Sequence, residues 1–175
     1  SLHKRGYREG QGTAPLKENL ASLILARSKW HEISESGGFL FDPMCGSGTF
    51  LIEGAMIAAD IAPGIAREDF GFLNWKQFDK TIWSDLLDDA QRRKQKGLLR
   101  IKNEIKGYDT NKKIISIAAK NIENAGLDEY IKVAHRSIES ISDVNEKSGL
   151  FIVNPPYGER LGENQNLHKL SLIHI

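Results

Sequence analysis

The sequence has little cysteine, no long apolar run and no marked excess of either positive or negative charge. Its single cysteine excludes an internal disulfide and fits a reducing cytoplasm. No apolar run approaches the roughly 18–20 residues that span a bilayer, and none follows the polar start at residues 3–8, so we expect neither a membrane span nor a signal peptide. A complete nucleic-acid-binding protein usually has a clear excess of basic residues, whereas the formal net charge of this sequence is only +1.

What is present is the composition of an ordinary globular domain, with 40% hydrophobic and 27% charged residues among 175. Short apolar runs alternate with segments whose apolar residues recur at helical spacing. Strands are predicted at residues 39–41, 104–108, 130–134 and 150–153. Helices are predicted from about Pro15 onward and at residues 49–60, 81–97 and 112–125. This alternation predicts right-handed crossovers and a parallel α/β sheet.

Three polar turns follow predicted strands, at residues 42–48, 109–111 and 154–158. In open parallel sheets, ligands bind beyond the carboxyl ends of the strands, at the point where the strand order reverses. We therefore expect these turns to converge on one crevice.

The first turn, residues 42–49, is rich in glycine and leads into a helix. Glycine lets the backbone approach a ligand closely, and the free N–H groups of a helix start attract anions. The turn has no lysine for a phosphate-binding Walker loop, and Phe50 and Leu51 stand where a dinucleotide motif needs its third glycine. A ligand with a carboxylate and no phosphate fits this turn. The alternative is a tight strand-to-helix turn that binds nothing.

The other two turns carry Asp109 and the segment Asn154-Pro155-Pro156-Tyr157. An acid at the end of the second strand accepts hydrogen bonds from ribose hydroxyls, although Asp109 or Asn111 could instead cap the next helix. The two prolines end the fourth strand rigidly, which sets the Asn154 amide oxygen and the Pro155 carbonyl as two acceptors for an NH2 group. Tyr157 can stack on a planar base. The alternative is a proline turn that only terminates the strand.

Three further features favour structural roles over chemical ones. Cys45 could act as a nucleophile, but a small buried residue in a tight loop is the simpler account. The basic residues 92–102 are interpreted as a solvated helix face. The aromatic residues 70–83 are interpreted as local packing, with a base-stacking platform as the alternative.

In combination, these motifs resemble the amino-methyltransferases with a Rossmann-like fold. Residues 2–8, 14–18, 70–75 and 154–162 are similar to one branch, the large-subunit ribosomal RNA guanine-N2 methyltransferases. Proteins of that branch are often labelled N6-adenine DNA methylases, and the resemblance covers residues 2–170. It implies a class I methyltransferase fold, a three-layer α/β sandwich with a mostly parallel sheet.

The resemblance implies S-adenosylmethionine as cofactor and no metal. The cofactor would be held by Asp42, Pro43, Cys45, Gly46, Ser47, Gly48, Thr49 and Asp109, with the loop around residues 13–16 closing over it. The target base would be received by Asn154, Pro155, Pro156 and Tyr157. Many relatives carry an acid beyond the third strand that binds adenine, whereas this sequence has His135-Arg136-Ser137, so that contact stays unassigned.

The resemblance also implies a longer protein. The family's sheet has seven strands and an RNA-binding module precedes it, so residues 1–175 are expected to be a partial catalytic domain truncated after strand four. The final residues 171–175 depart from the family's pattern. Such a piece would be poorly active, and its oligomeric state stays open.

The implied reaction is N-methylation of guanine N2 in 23S ribosomal RNA, in the cytoplasm. The RNA would be bound mainly through the missing module. The alternatives are adenine N6 in DNA, a protein glutamine, or a non-catalytic remnant that binds cofactor or RNA.

Overall fold

The computed structural model describes residues 5–8, 16–138 and 148–155, which form a layered α/β unit. Its strands are β1 (Phe39–Asp42), β2 (Ile105–Asp109), β3 (Ile131–His135) and β4 (Gly149–Phe151). Its helices are α1 (Glu18–Arg27), α2 (Trp30–Glu35), α3 (Thr49–Ala58), α4 (Lys80–Arg100) and α5 (Lys112–Asn124). A 3-10 turn covers Gly71–Asn74.

The sheet has the order β3-β2-β1-β4, and all described pairs are parallel. β4 therefore lies on the opposite side of β1 from β2 and β3. The strand order reverses between β1 and β4, and doubly wound sheets bind ligands at this switch point. The prediction of a parallel α/β sheet is confirmed, and so is the Rossmann-like fold class.

The core lies where α3 and α2 close on β1. Gly54 of α3 sits so near the sheet that a Cβ there would lie 2.2 Å from Leu40 Cδ2. The indole Nε1 of the fully buried Trp30 donates to the Gly54 carbonyl at 2.8 Å. This close approach fixes α3, and with it the turn that precedes α3, relative to the carboxyl end of β1.

Some element boundaries differ from the sequence predictions. α2 was not predicted, because it has only six residues and follows Lys29, whose φ of 56° interrupts the preceding helix. α4 begins at Lys80 because the Asp79 carboxylate accepts from the backbone N–H groups of Thr81 and Ile82, at 2.8 and 3.1 Å. Pro15 lies outside the described residues, and α1 begins at Glu18.

The aromatic segment before α4 packs on itself. Phe70 and Phe72 each lie against Trp83. Their ring centroids are 5.0 and 4.9 Å from that of Trp83, respectively, and Phe72 also contacts Phe78. The interpretation as local packing is confirmed. Trp75 is the exception, since it is 68% exposed.

α4 itself is mostly solvated, as predicted for the basic stretch. Only Ala90 and Gly97 are buried along its length. Arg92 and Arg93 both pair with Asp89, and Arg93 reaches Asp60 at 2.8 Å. In the described part of the chain, no helix has the length and apolar character needed to cross a membrane.

Candidate cofactor site

The glycine turn between β1 and α3 is held by backbone hydrogen bonds to β2 and within itself. Cys45 N donates to Tyr108 O at 2.8 Å, and Gly48 N donates to Cys45 O at 2.9 Å. Asp42 Oδ1 accepts from Met44 N at 3.0 Å. Gly46 and Gly48 have φ values of 53° and 83°, a region that side chains disfavour, so the turn requires glycine at both positions.

The two glycines differ in what surrounds them. A Cβ at Gly46 would meet nothing within 4 Å, so this position borders open space. A Cβ at Gly48 would lie 3.5 Å from Ala118 Cβ, on the side of α5. Gly46 is therefore the position that leaves room for a ligand, whereas Gly48 serves the turn and its packing against α5.

The start of α3 has no side-chain cap, whereas α4 and α5 are capped by Asp79 and Asn111. Uncapped N–H groups at a helix start, together with the helix dipole, attract a carboxylate. The hydroxyls of Ser47 and Thr49 lie 3.5 Å apart at this point.

Asp109, at the end of β2, joins two of the predicted turns. Its Oδ2 accepts from Gly46 N at 3.0 Å, and its Oδ1 accepts from Asn111 N at 2.9 Å. Asn111, rather than Asp109, caps α5 by accepting from the N–H groups of Lys113 and Ile114. Each carboxylate oxygen has a second lone pair, so Asp109 can still accept from a ligand hydroxyl.

Burial sets the protonation states of this turn. Burial raises the pKa of Asp42 to about 7, with a further rise from the nearby Asp109, against a lowering by the Met44 N–H. Burial also raises the pKa of Cys45 above its ordinary value, and the charges of Asp42 and Asp109 add to this. A cysteine nucleophile reacts as the thiolate, so this environment disfavours that role.

The Cys45 side chain serves packing. A Cβ at Gly107 of β2 would come within 2.8 Å of Cys45 Cβ, so the small residues fit against each other. Among the described residues, no group of histidine, cysteine, aspartate and glutamate side chains is placed to hold a metal ion.

Asn154 and Pro155 lie just beyond the carboxyl end of β4. The pairing with β1 continues past the strand, since Ile152 N donates to Phe41 O at 3.0 Å. Asn154 is exposed and Pro155 is half-buried. They follow the strand that neighbours β1, at the carboxyl edge of the sheet. The predicted site residues Pro156 and Tyr157 lie outside the described residues.

Sequence reasoning missed two supports of the glycine turn. The buried Asn121 of α5 donates from Nδ2 to Ser47 O at 3.1 Å. Arg8 donates from Nη2 to Thr49 Oγ1 at 2.9 Å. Asn121 could have been found, because it interrupts the apolar face that Ala118 and Ile122 define.

His135 ends β3 and Arg136 follows it, at the place where the sequence left the contact to adenine unassigned. Arg136 N donates to Asp109 O at 3.1 Å, and the Arg136 guanidinium lies 5.3 Å from the centre of the Tyr108 ring. The His135 ring bonds to Thr110 O at 2.9 Å. These contacts serve the local structure and give no acid in this position.

The sheet order and the glycine turn between β1 and α3 define a Rossmann-like domain whose switch point lies between β1 and β4. The chain belongs to the RMKL-like methyltransferase-domain family, whose model matches residues 5–172. It is 50% identical, over 97% of its length, to the ribosomal RNA large subunit methyltransferase K/L of Allochromatium vinosum. It is 52% identical, over 95% of its length, to the protein of that name from Methylococcus capsulatus.

Solved structures agree with this family. The crystal structure of SMU.472, assigned as a methyltransferase and complexed with S-adenosylhomocysteine, is 36% identical with a TM-score of 0.79 over 97% of the chain. A predicted N6-adenine-specific DNA methylase from Listeria monocytogenes has a TM-score of 0.75 over 91% of the chain, at 36% identity. The chain spans 23% and 22% of the two curated relatives and 41% and 40% of the two solved chains.

Proposed function

We propose that the protein is an S-adenosylmethionine-dependent N-methyltransferase that modifies guanine N2 of 23S ribosomal RNA. The observation that carries the proposal is the strand order β3-β2-β1-β4, with its switch point between β1 and β4. It brings an uncapped helix start and the Asp109 carboxylate to the edge of the sheet where Asn154 and Pro155 lie. The names of the curated relatives support methylation of large-subunit ribosomal RNA, and the S-adenosylhomocysteine bound to SMU.472 supports the cofactor.

The residues around the glycine turn fit three parts of this cofactor. The start of α3, with the hydroxyls of Ser47 and Thr49, suits the methionine carboxylate. The open space above Gly46 suits the amino-acid chain. Asp42, Pro43 and Cys45 are buried and would contribute by shaping the turn that borders this space. Asp109 suits the ribose hydroxyls.

Asn154 and Pro155 are proposed to prepare the acceptor amine. An amine on an aromatic ring is a poor nucleophile because its lone pair is delocalised. Accepting both N–H groups favours a pyramidal nitrogen and stabilises the positive charge that develops on it. Bound S-adenosylmethionine supplies an electrophilic methyl group. The methyl group would pass to the amine nitrogen held by Asn154 and Pro155, S-adenosylhomocysteine would leave, and the surplus amine proton would go to solvent.

Positioning accounts for much of the expected rate. Holding two reactants in line gains about 7–11 kcal/mol of the barrier. The target base must leave its stack to reach a site at the sheet edge. Tyr157, with Pro156 before it, is proposed to stack on that base.

The second candidate is an N6-adenine methyltransferase acting on DNA. It is favoured by the name of the Listeria monocytogenes neighbour, and guanine and adenine both present an exocyclic NH2 group. Two acceptors at Asn154 and Pro155 serve either base. A protein glutamine would satisfy the same acceptors, and a non-catalytic remnant would bind without turnover.

The rest of the proposal concerns the whole protein. We propose that residues 1–175 are part of a larger catalytic domain and that the RNA is bound mainly by other parts of that protein, because the net charge here is only +1. A cytoplasmic location fits an RNA substrate and a single free cysteine.

Transfer of tritiated methyl groups to ribosomal RNA and to DNA, assayed side by side, tests the reaction. Nucleosides from the ribosomal RNA of a deletion strain identify the target by mass spectrometry. Loss of N2-methylguanosine at one large-subunit position is the expected result. Intact ribosomal RNA with loss of N6-methyladenine from DNA would establish the second candidate instead.

A further inference from the structure

Arg8 reaches the glycine turn from a distant part of the sequence. Its Nη2 donates to the Leu16 carbonyl at 2.8 Å and to Thr49 Oγ1 at 2.9 Å. Its Nε lies 3.1 Å from Glu18 Oε1, and the two side chains are only 9% and 7% exposed. A buried guanidinium is thereby fixed against the first residue of α3.

The donor-only character of arginine gives this contact a direction. The guanidinium has no acceptor, so Thr49 Oγ1 must accept from Arg8 and keeps its own hydroxyl proton to donate. Ser47 Oγ lies 3.5 Å away, and either oxygen of this pair can be the donor; we take Thr49 as the donor and Ser47 as the acceptor. The Ser47 hydroxyl is then free to donate in turn. Hydrogen bonds in such a chain polarise one another, which strengthens the last donor.

This series of hydrogen bonds, from Arg8 through Thr49 to Ser47, ends where an anion is expected to bind. Ser47 and Thr49 flank the uncapped start of α3, so the polarised hydroxyls and the free N–H groups act on the same space. A carboxylate placed there accepts from both. Asn121 fixes the backbone of the same segment by donating to Ser47 O.

We propose that Arg8 is a positioning residue for the carboxylate of the cofactor, acting through the hydroxyls of Thr49 and Ser47. This inference rests on the cofactor site proposed above. It assigns to Arg8 the recognition of the amino-acid end of the ligand, and no part in binding the nucleoside end.

Two ligands separate this role from a structural one. S-adenosylhomocysteine carries the amino-acid end, whereas 5′-methylthioadenosine keeps the nucleoside and thioether and lacks the carboxylate. Calorimetric titration of the protein with each ligand gives an affinity ratio. Arg8→Gln should weaken S-adenosylhomocysteine binding about tenfold, the scale of one hydrogen bond to a charged group, and leave methylthioadenosine binding unchanged. Arg8→Lys should recover part of the loss.

Arg5 provides the matched control. It bonds Glu53 of α3 at 3.3 Å, away from the glycine turn, so Arg5→Gln should lower the melting temperature without changing the ratio. Thr49→Val removes the middle hydroxyl at nearly constant volume and should reproduce the selective loss, whether or not Arg8→Gln folds. Thr49→Ser should retain the ratio.

Equal losses for both ligands in Arg8→Gln and Thr49→Val, or no loss in either variant, would overturn the role of Arg8. In that case the unmodified protein would still bind S-adenosylhomocysteine, and the cofactor site would stand. If the unmodified protein bound neither ligand, the cofactor site and this inference would both be wrong.

Discussion

At the scale of single residues, the protonation of Asp42 makes stability depend on pH. Its pKa is raised from 3.8 to about 7, chiefly by burial, so the folded protein keeps a proton that the unfolded chain loses as the pH passes 4. The free energy of unfolding should therefore decrease as the pH rises from about 4 to about 7 and change no further above that range. Asp42→Asn should remove this contribution.

Urea denaturation at pH 5 and pH 8 measures the effect. The stability of Asp42→Asn relative to the unmodified protein should be greater at pH 8 than at pH 5. Asp128→Asn, at an exposed position, is the control and should follow the unmodified protein at both values. A pH dependence shared by all three proteins would refute the assignment to Asp42.

Asn154 gives the prediction that bears most directly on catalysis. Asn154→Ala should lower turnover by roughly 10²-fold or more, the effect of removing one preorganised polar group. Affinity for S-adenosylhomocysteine should change little, because the proposed role is toward the acceptor amine. Methyl-transfer kinetics and calorimetry measure the two quantities. Val153→Ala, at the neighbouring exposed position, controls for local damage, and an Asn154→Ala enzyme with full turnover would exclude the amine-orienting role.

At the scale of elements, the glycine turn predicts different results at its two glycines. Gly46→Val places its side chain in the open space and should lower the affinity for S-adenosylhomocysteine at least about tenfold. This loss should be larger than any fall in folding stability explains. Gly48→Val meets Ala118 and Ile122 of α5 and should mainly lower stability. Both variants share a backbone cost of about 1–2 kcal/mol for a positive φ. Thermal melts measure the stability of each variant, and calorimetry measures its affinity for the ligand. Equal losses of affinity in two variants of equal stability would contradict the distinction between the two glycines.

Elements could be predicted from the sequence where neighbouring residues determine them, and could not where tertiary packing does. β1 and its glycine turn follow from a short apolar run and from residues adjacent in sequence, and α5 follows from its apolar face and the Asn111 cap. α2 has too few residues to show a period, and Lys29 before it adopts a left-handed conformation that lysine does not signal. The difference between Gly46 and Gly48 depends on where α5 packs, which no residue near the turn encodes.

At the scale of the whole molecule, the start of the described chain is joined to its centre. The buried Glu53 of α3 accepts from Tyr7 Oη at 3.1 Å, from Arg5 and from Ser22. Burial, followed by the charge of Glu53, raises the pKa of Tyr7 above its ordinary value. Glu53 stands out in sequence as the one charge in an apolar helix, but its partners lie 31 to 48 residues away. Such contacts are set by the tertiary fold, so sequence pattern alone did not predict them.

The last prediction concerns the surface that the described sheet leaves uncovered. β4 pairs with β1 alone among the described strands. Phe151, which ends β4, and Val153, just beyond it, are 41% and 40% exposed. Phe151 also contacts Phe39 and Phe41 edge-to-face, so the exposed area continues an aromatic row on one face of the sheet. Unpaired strand edges and exposed apolar patches promote association between chains.

The 175-residue chain by itself should therefore self-associate and transfer little methyl to RNA. Sedimentation velocity should show species larger than a monomer that increase with concentration. Phe151→Gln combined with Val153→Thr should reduce this association, whereas Leu99→Gln, at an 85% exposed position on α4, should not. A monodisperse monomer with full activity would mean that this face and edge need no further covering. Association that persists equally in both variants would assign it to a different surface.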